Sequence, residues 1–150
     1  MANKNMVNYA KAFGTIPSVK VSPEDNNRLH CQYDEFIVSA VIATTDVIYG
    51  PKIPAGARLH EVVLSCEDLG TTGVMQVGHL ITSADAEDLN AFLDAVDVNA
   101  AAITAKMSDE VNIVGLLKKY EVETQVVITC TTATTVTAGE KIKLAIYYTF

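Results

Sequence analysis

Along residues 141–150 apolar and polar side chains alternate: Ile142, Leu144, Ile146, Tyr148 and Phe150 share one parity, Lys141, Lys143 and Thr149 the other. A period of two marks a strand with one buried face. Residues 125–132 repeat the pattern with Val126, Ile128 and Cys130 together, and a turn-like stretch at 133–139 joins the two. This pairing predicts a hairpin. A second hairpin is predicted upstream. Residues 58–65 place His60, Val62 and Leu64 on one parity, continued by Cys66. Residues 67–73 form a turn rich in Asp and Gly, and residues 74–81 return as a strand. Residues 36–43 are nearly continuous in apolarity, which predicts a strand covered on both faces. Gly and Pro punctuate residues 49–57, which read as a loop.

The period changes after Thr82. Thr82 and Asp85 fit the Ser/Thr-x-x-Asp/Glu helix-start pattern, and Leu89, Phe92, Leu93 and Val96 follow at helical spacing. A short helix is predicted over residues 84–94. Residues 99–107 fit either a helix or a loop at a sandwich edge, and residues 111–117 read as a further short strand.

The first 32 residues differ from the rest. They hold Asn3, Asn5, Asn8, Asn26, Asn27, Pro17 and Pro23, with little periodicity apart from a short alternation at 18–22 that reads as a strand. The expected division is an N-terminal arm over 1–32 and a β-sandwich domain over 33–150. The expected class is mainly β: an antiparallel sandwich or jelly-roll-like barrel with one short helix and an extended arm. An α+β layer with a longer helix over 83–107 is the alternative.

Composition sharpens this picture. Val, Ile and Thr supply 18, 11 and 15 of the 150 residues, a β-branched excess that favours strands. A chain of this length buries roughly 70% of its unfolded surface, enough for one core. Its formal charge is −7, although the arm is locally +2, with Lys4, Lys11, Lys20 and Arg28 against Glu24 and Asp25. That balance disfavours nucleic acid and anionic membranes as partners. The polar start is not expected to be a signal peptide, and the most apolar stretch is too short to span a bilayer. Cys31, Cys66 and Cys130 are odd in number and widely spaced, so they are expected to be reduced and buried.

The usual catalytic constellations fail. GxGxxG, Walker, HExxH, GxSxG and CxxC patterns are missing from the sequence. His30, Cys31, His60, Cys66, His79 and Cys130 match no common zinc spacing, although His60 and His79 would face each other across the first predicted hairpin. Glu67-Asp68 reads as a solvated turn. Asp85, Glu87, Asp88, Asp94 and Asp97 lack the calcium-loop spacing and read as a solvated helix face. No catalytic residue, metal or cofactor is expected. Of Tyr147 and Tyr148, which point opposite ways, one is expected in the core and the other exposed or at an interface.

Three segments together carry a resemblance. Residues 53–58, Ile-Pro-Ala-Gly-Ala-Arg, step into an apolar strand. Residues 68–78 read Asp-Leu-Gly-Thr-Thr-Gly-Val-Met-Gln-Val-Gly. Residues 139–148 close with Gly139, Leu144, Ile146 and Tyr148 spaced as G-x-x-x-x-L-x-I-x-Y. In order and company these resemble the decoration (cement) and minor head proteins of tailed bacteriophages, small modules of β-sandwich or jelly-roll type. The likeness covers about residues 48–80 and 124–150, and that family has no fixed catalytic residues to carry over. It implies a non-enzymatic virion protein, made in the host cytoplasm, that sits on the outer capsid surface and cements neighbouring major capsid subunits. The implied partners are the major capsid protein and sister copies, most simply as a homotrimer. The arm is expected to make the contact, in part by strand addition, through Asn3, Lys4, Tyr9, Lys11, Phe13, Ile16, Val19 and Val21. The competing readings are a head–tail connector or tail component, a non-viral carbohydrate-binding β module, which the absence of Trp disfavours, and a small enzyme.

Overall fold

A computed structural model describes residues 28–99, 102–110, 114–135 and 138–150, together with the backbone of residues 3–5. The strands are β1 (Asn3–Asn5), β2 (His30–Ile37), β3 (Val47–Ile53), β4 (Arg58–Cys66), β5 (Val74–His79), β6 (Asp88–Asp97), β7 (Ile103–Lys106), β8 (Thr124–Thr132) and β9 (Lys141–Thr149). They form two sheets, ordered β1-β3-β8-β5-β6 and β2-β9-β4-β7. Every pairing is antiparallel except the short parallel contact of β1 with β3. The mainly-β sandwich expectation holds, and the chain passes back and forth between the two sheets.

The core lies between the sheets. Leu59, Val62 and Leu64 of β4 and Ile142, Leu144 and Ile146 of β9 are fully buried on one side. Ile48 and Ile53 of β3, Met75 and Val77 of β5, and Val126 and Ile128 of β8 close it from the other. Each such side chain contributes about 1.5–3 kcal/mol by leaving water. The alternation of β9 is regular from end to end, as its sequence predicts.

Both predicted hairpins are corrected. β4 lies in one sheet and β5 in the other, and β8 and β9 are likewise separated. The connection at 67–73 is an arch over one end of the sandwich, tied to the described residues that leave β8 and enter β9. The Thr71 amide donates to Thr135 Oγ1 (2.8 Å), Thr72 Oγ1 donates to the Ala133 carbonyl (3.0 Å), and the Glu67 amide donates to the Lys141 carbonyl (3.0 Å). A strand with one buried face satisfies its pattern equally well when its successor lies opposite it across the core. Consequently His60 and His79 do not meet: His60 Nε2 lies 2.9 Å from Thr149 Oγ1, whereas His79 is buried beside Phe92 and Tyr120.

The predicted helix over 84–94 is also corrected, and with it the α+β alternative. Residues 88–97 form β6, and the sole helical turn among the described residues is a 3-10 turn at Met107–Asp109. Thr82 does cap a turn: its Oγ1 accepts the amides of Ala84 (3.2 Å) and Asp85 (2.9 Å), and its own amide donates to the Asp85 carbonyl. The chain then extends. β6 slips register against β5 twice, and Ala95 takes φ +51°, so buried Phe92, Leu93 and Val96 fall at a spacing that mimics a helix. β5 contributes a necessary glycine. A Cβ on Gly78 would lie 2.0 Å from the Asp88 carbonyl oxygen and 2.7 Å from the Asn90 nitrogen.

Three smaller expectations change. The apolar run at 36–43 is not covered on both faces: β2 stops at Ile37, and Ile37 and Val41 are half exposed while Val38 and Ile42 are buried. Val114 to Leu117 form bends and a turn, not a strand. Cys31 is exposed, although Cys66 and Cys130 are buried as expected; none of the three forms a disulfide among the described residues. The alternation at 18–22 lies outside the described residues.

Candidate interaction surface

The groups that could carry chemistry are dispersed. His30 stacks on Tyr148, with centroids 5.4 Å apart, at the far end of β2 from the arch. His60 is on β4, and His79 Nδ1 donates to the Leu80 carbonyl (3.0 Å). Burial, and then the neighbouring Cys130, push the Cys66 thiol up to about 12, which keeps it protonated and a poor nucleophile. No group of three His, Cys, Asp or Glu side chains among the described residues is placed to hold a metal. No helix among them is long and apolar enough to cross a membrane.

One buried cluster escaped the sequence reading. Tyr120 is 1% exposed and packs edge-on against His79 and Phe92, and the Lys118 ammonium sits 5.0 Å above its ring while pairing with Asp85 at 2.7 Å. Burial first, then the charges of Asp85 and Asp88, hold the phenol protonated far above its usual range. The Tyr120 amide donates to the Ala57 carbonyl, and its carbonyl accepts the Gly56 amide. This arrangement fastens the 114–120 loop to the start of β4. A single Tyr in a polar stretch gave no periodic signal by which it could have been found.

The sheet margins are treated unequally. β6 carries Asp88, Asp94 and Asp97 and two register slips, devices that discourage another strand from adding there. β7 is four residues long and ends on Lys106. β1 places the backbone of Asn3, Lys4 and Asn5 beside Val47, Ile48 and Tyr49 of the same chain. Of the predicted contact residues, Asn3 and Lys4 therefore lie at the margin of the five-stranded sheet. Tyr9, Lys11, Phe13, Ile16, Val19 and Val21 lie outside the described residues.

The outer face of the four-stranded sheet is amphipathic. Register places Cys31, Tyr147 and Glu61 in one row, then Tyr33, Ala145, Val63 and Lys106, then Glu35, Lys143, Ser65 and Thr104. Tyr33 is 48% and Ile37 51% exposed. Tyr148 is the core tyrosine and Tyr147 the outward one, as expected. Desolvation, then Glu35, raises the Tyr33 phenol, and a hydrogen bond with Cys31 raises that of Tyr147. Both therefore present neutral hydroxyl groups.

No family model matches this chain, and no curated protein matches it. Solved structures do. A chain in the capsid of Ralstonia phage GP4 is 19% identical with a TM-score of 0.74, covering 99% of this chain and 97% of that one. A chain in the cyanophage Pam1 capsid asymmetric unit is 20% identical with a TM-score of 0.65, covering 91% and 94% respectively. At these identities the likeness establishes a shared fold from end to end.

Proposed function

We propose that this chain is a non-enzymatic structural protein of a phage virion, binding the outer capsid surface and cementing neighbouring major capsid subunits as a homotrimer. The observation that carries the reading is the match of the whole fold, at nearly full coverage of both partners, to chains from two phage capsids. The dispersal of ionisable groups supports a role in contact and not in catalysis. Residues 1–32 are the proposed arm, with Asn3, Lys4, Tyr9, Lys11, Phe13, Ile16, Val19 and Val21 its contact residues. The +2 charge of the arm on a −7 chain suits it to reach an acidic neighbour. Many weak contacts repeated on a symmetric shell then sum by multivalency.

The deciding experiment is copy number per purified particle, by quantitative mass spectrometry against the major capsid protein. A ratio near that of the shell protein supports cementing. A few copies per particle would favour a connector or tail ring, and none would overturn the virion reading. Removal of residues 1–27, which stops short of β2 at His30, is expected to abolish particle binding while the remaining domain still folds. Undiminished binding would refute the role of the arm.

A further inference from the structure

We propose that a second copy of this chain seats its acidic β6 margin on the outer face of the four-stranded sheet, and that this heterologous contact builds the oligomer. The inference rests on the homotrimer reading above and names the surfaces that meet.

The first support is charge. Lys52, Lys118, Lys119 and Lys141 each pair with a carboxylate within the chain. Lys106 and Lys143 stand outside these ion pairs, and both lie on the outer face of the four-stranded sheet. On the other side of the complementarity, Glu87, Asp94 and Asp97 are exposed on or just before β6 and also stand outside the ion pairs formed among the described residues. Unpaired cations on one surface and unpaired anions on another suit two copies meeting head to tail.

The second support is the apolar ground between those lysines. Tyr33, Ala145 and Val63 share a row that ends on Lys106, with Tyr147 beside Glu61 in the row before it and Lys143 beside Glu35 in the row after, so two acids also lie on this face and the aromatic content is typical of interface centres. On β6, Ala95 projects between Asp94 and Asp97 with φ +51°, exposed to solvent, and so offers a small side chain in a margin that resists strand addition. The third support is placement. β6 ends its sheet on the side where it meets β7, the end of the opposite sheet. The acidic margin and the lysine face are thus adjacent sides of the sandwich. Surfaces on opposite sides would stack copies into an open filament, whereas adjacent ones allow a closed ring.

The test is self-association of the purified full-length chain by light scattering after size exclusion, at low and high salt. Lys106→Glu with Lys143→Glu, and separately Asp94→Lys with Asp97→Lys, are each expected to weaken association by roughly tenfold or more. All four substitutions in one chain are expected to restore it. The milder Lys106→Gln with Lys143→Gln covers the case of a reversal that fails to fold, and is expected to weaken association in the same direction. Oligomers indifferent to both reversals, or no recovery in the combined variant, overturn the contact. A monomeric wild-type chain that still decorates particles at shell copy number overturns this contact and leaves the virion reading standing. An oligomer that follows the charge swaps in a protein absent from particles supports the contact and removes the virion reading.

Discussion

Gly78→Ala adds one methyl group where the backbone of β6 crosses β5. The new Cβ would lie 2.0 Å from the Asp88 carbonyl oxygen, 2.3 Å from the Leu89 carbonyl carbon and 2.7 Å from the Asn90 nitrogen. All three are backbone atoms, so no rotamer change relieves the overlap. Restoring an ordinary 3.4 Å contact from 2.0 Å requires a shift of 3.4 − 2.0 = 1.4 Å in one strand. That shift would open the pairing of His79 with Asp88 and disturb Phe92 and Leu93 beneath it. Overpacking of this kind costs about 1–3 kcal/mol, and a backbone collision belongs at the upper end. The lower unfolded-state entropy of alanine returns only about 0.5–1 kcal/mol. A net loss of about 2–2.5 kcal/mol corresponds to a fall in Tm of roughly 4–10 °C for a chain of this size. Calorimetry or circular dichroism reads it directly. Gly56→Ala is the control, because its φ is +85° but nothing lies within 4 Å of the added carbon, so backbone strain acts there alone. If Gly78→Ala melts within 2 °C of the parent (roughly the calorimetric effect of 0.5–1 kcal/mol), or Gly56→Ala falls further, the crossing does not constrain this position as described.

Other outcomes follow from the same geometry. Thr134→Val should cost about 1–3 kcal/mol, read by chemical denaturation, because the buried Ile42 amide then loses the Thr134 Oγ1 that it meets at 3.0 Å; an unchanged midpoint would show that the amide finds another partner. A thiol reagent should modify Cys31 quickly while Cys66 and Cys130 react only on unfolding, and rapid reaction of two or three thiols in the native protein would contradict their burial. Desolvation, then the hydrogen bond and charge of Glu67, raise the Glu140 carboxyl above 4.5. A folded acid that holds its proton more tightly than the unfolded one contributes stability below its unfolded pKa and loses it as pH rises through the folded value. Glu140→Gln should therefore gain Tm relative to the parent as pH rises above 4.5, and a gap that opens only on acidification would reverse the sign.

The parity of β9 and β4 was legible because each buries one face against a single core, so Ile142, Leu144, Ile146, Val62 and Leu64 announced themselves. Which sheet each strand joins was not legible. An arch and a hairpin impose the same alternation on their flanks, and the ties that mark 67–73 as an arch are made by Thr135 and Ala133, more than 60 residues away. The helix expected at 84–94 failed because register slips in β6 shift its buried positions off a period of two. The lysines and acids of the proposed contact were visible as residues, but only strand register showed that Lys106 and Lys143 share a face.

The strand order has a consequence for how the chain comes into being. β9 lies between β2 and β4, and β8 between β3 and β5. The middle of each sheet is therefore supplied late in synthesis, after the outer strands have left the ribosome with no central partner. The five-stranded sheet cannot close before Thr132 is made, nor the four-stranded sheet before Thr149, so folding is dominated by distant contacts, which places it among the slow β-folders of milliseconds to seconds. Through that interval the Val- and Ile-rich strands are exposed as an unassembled chain, a window in which aggregation competes with folding. Expression at lower temperature should raise the soluble yield, and any chain shortened before β8 should accumulate as insoluble protein and not as a smaller domain.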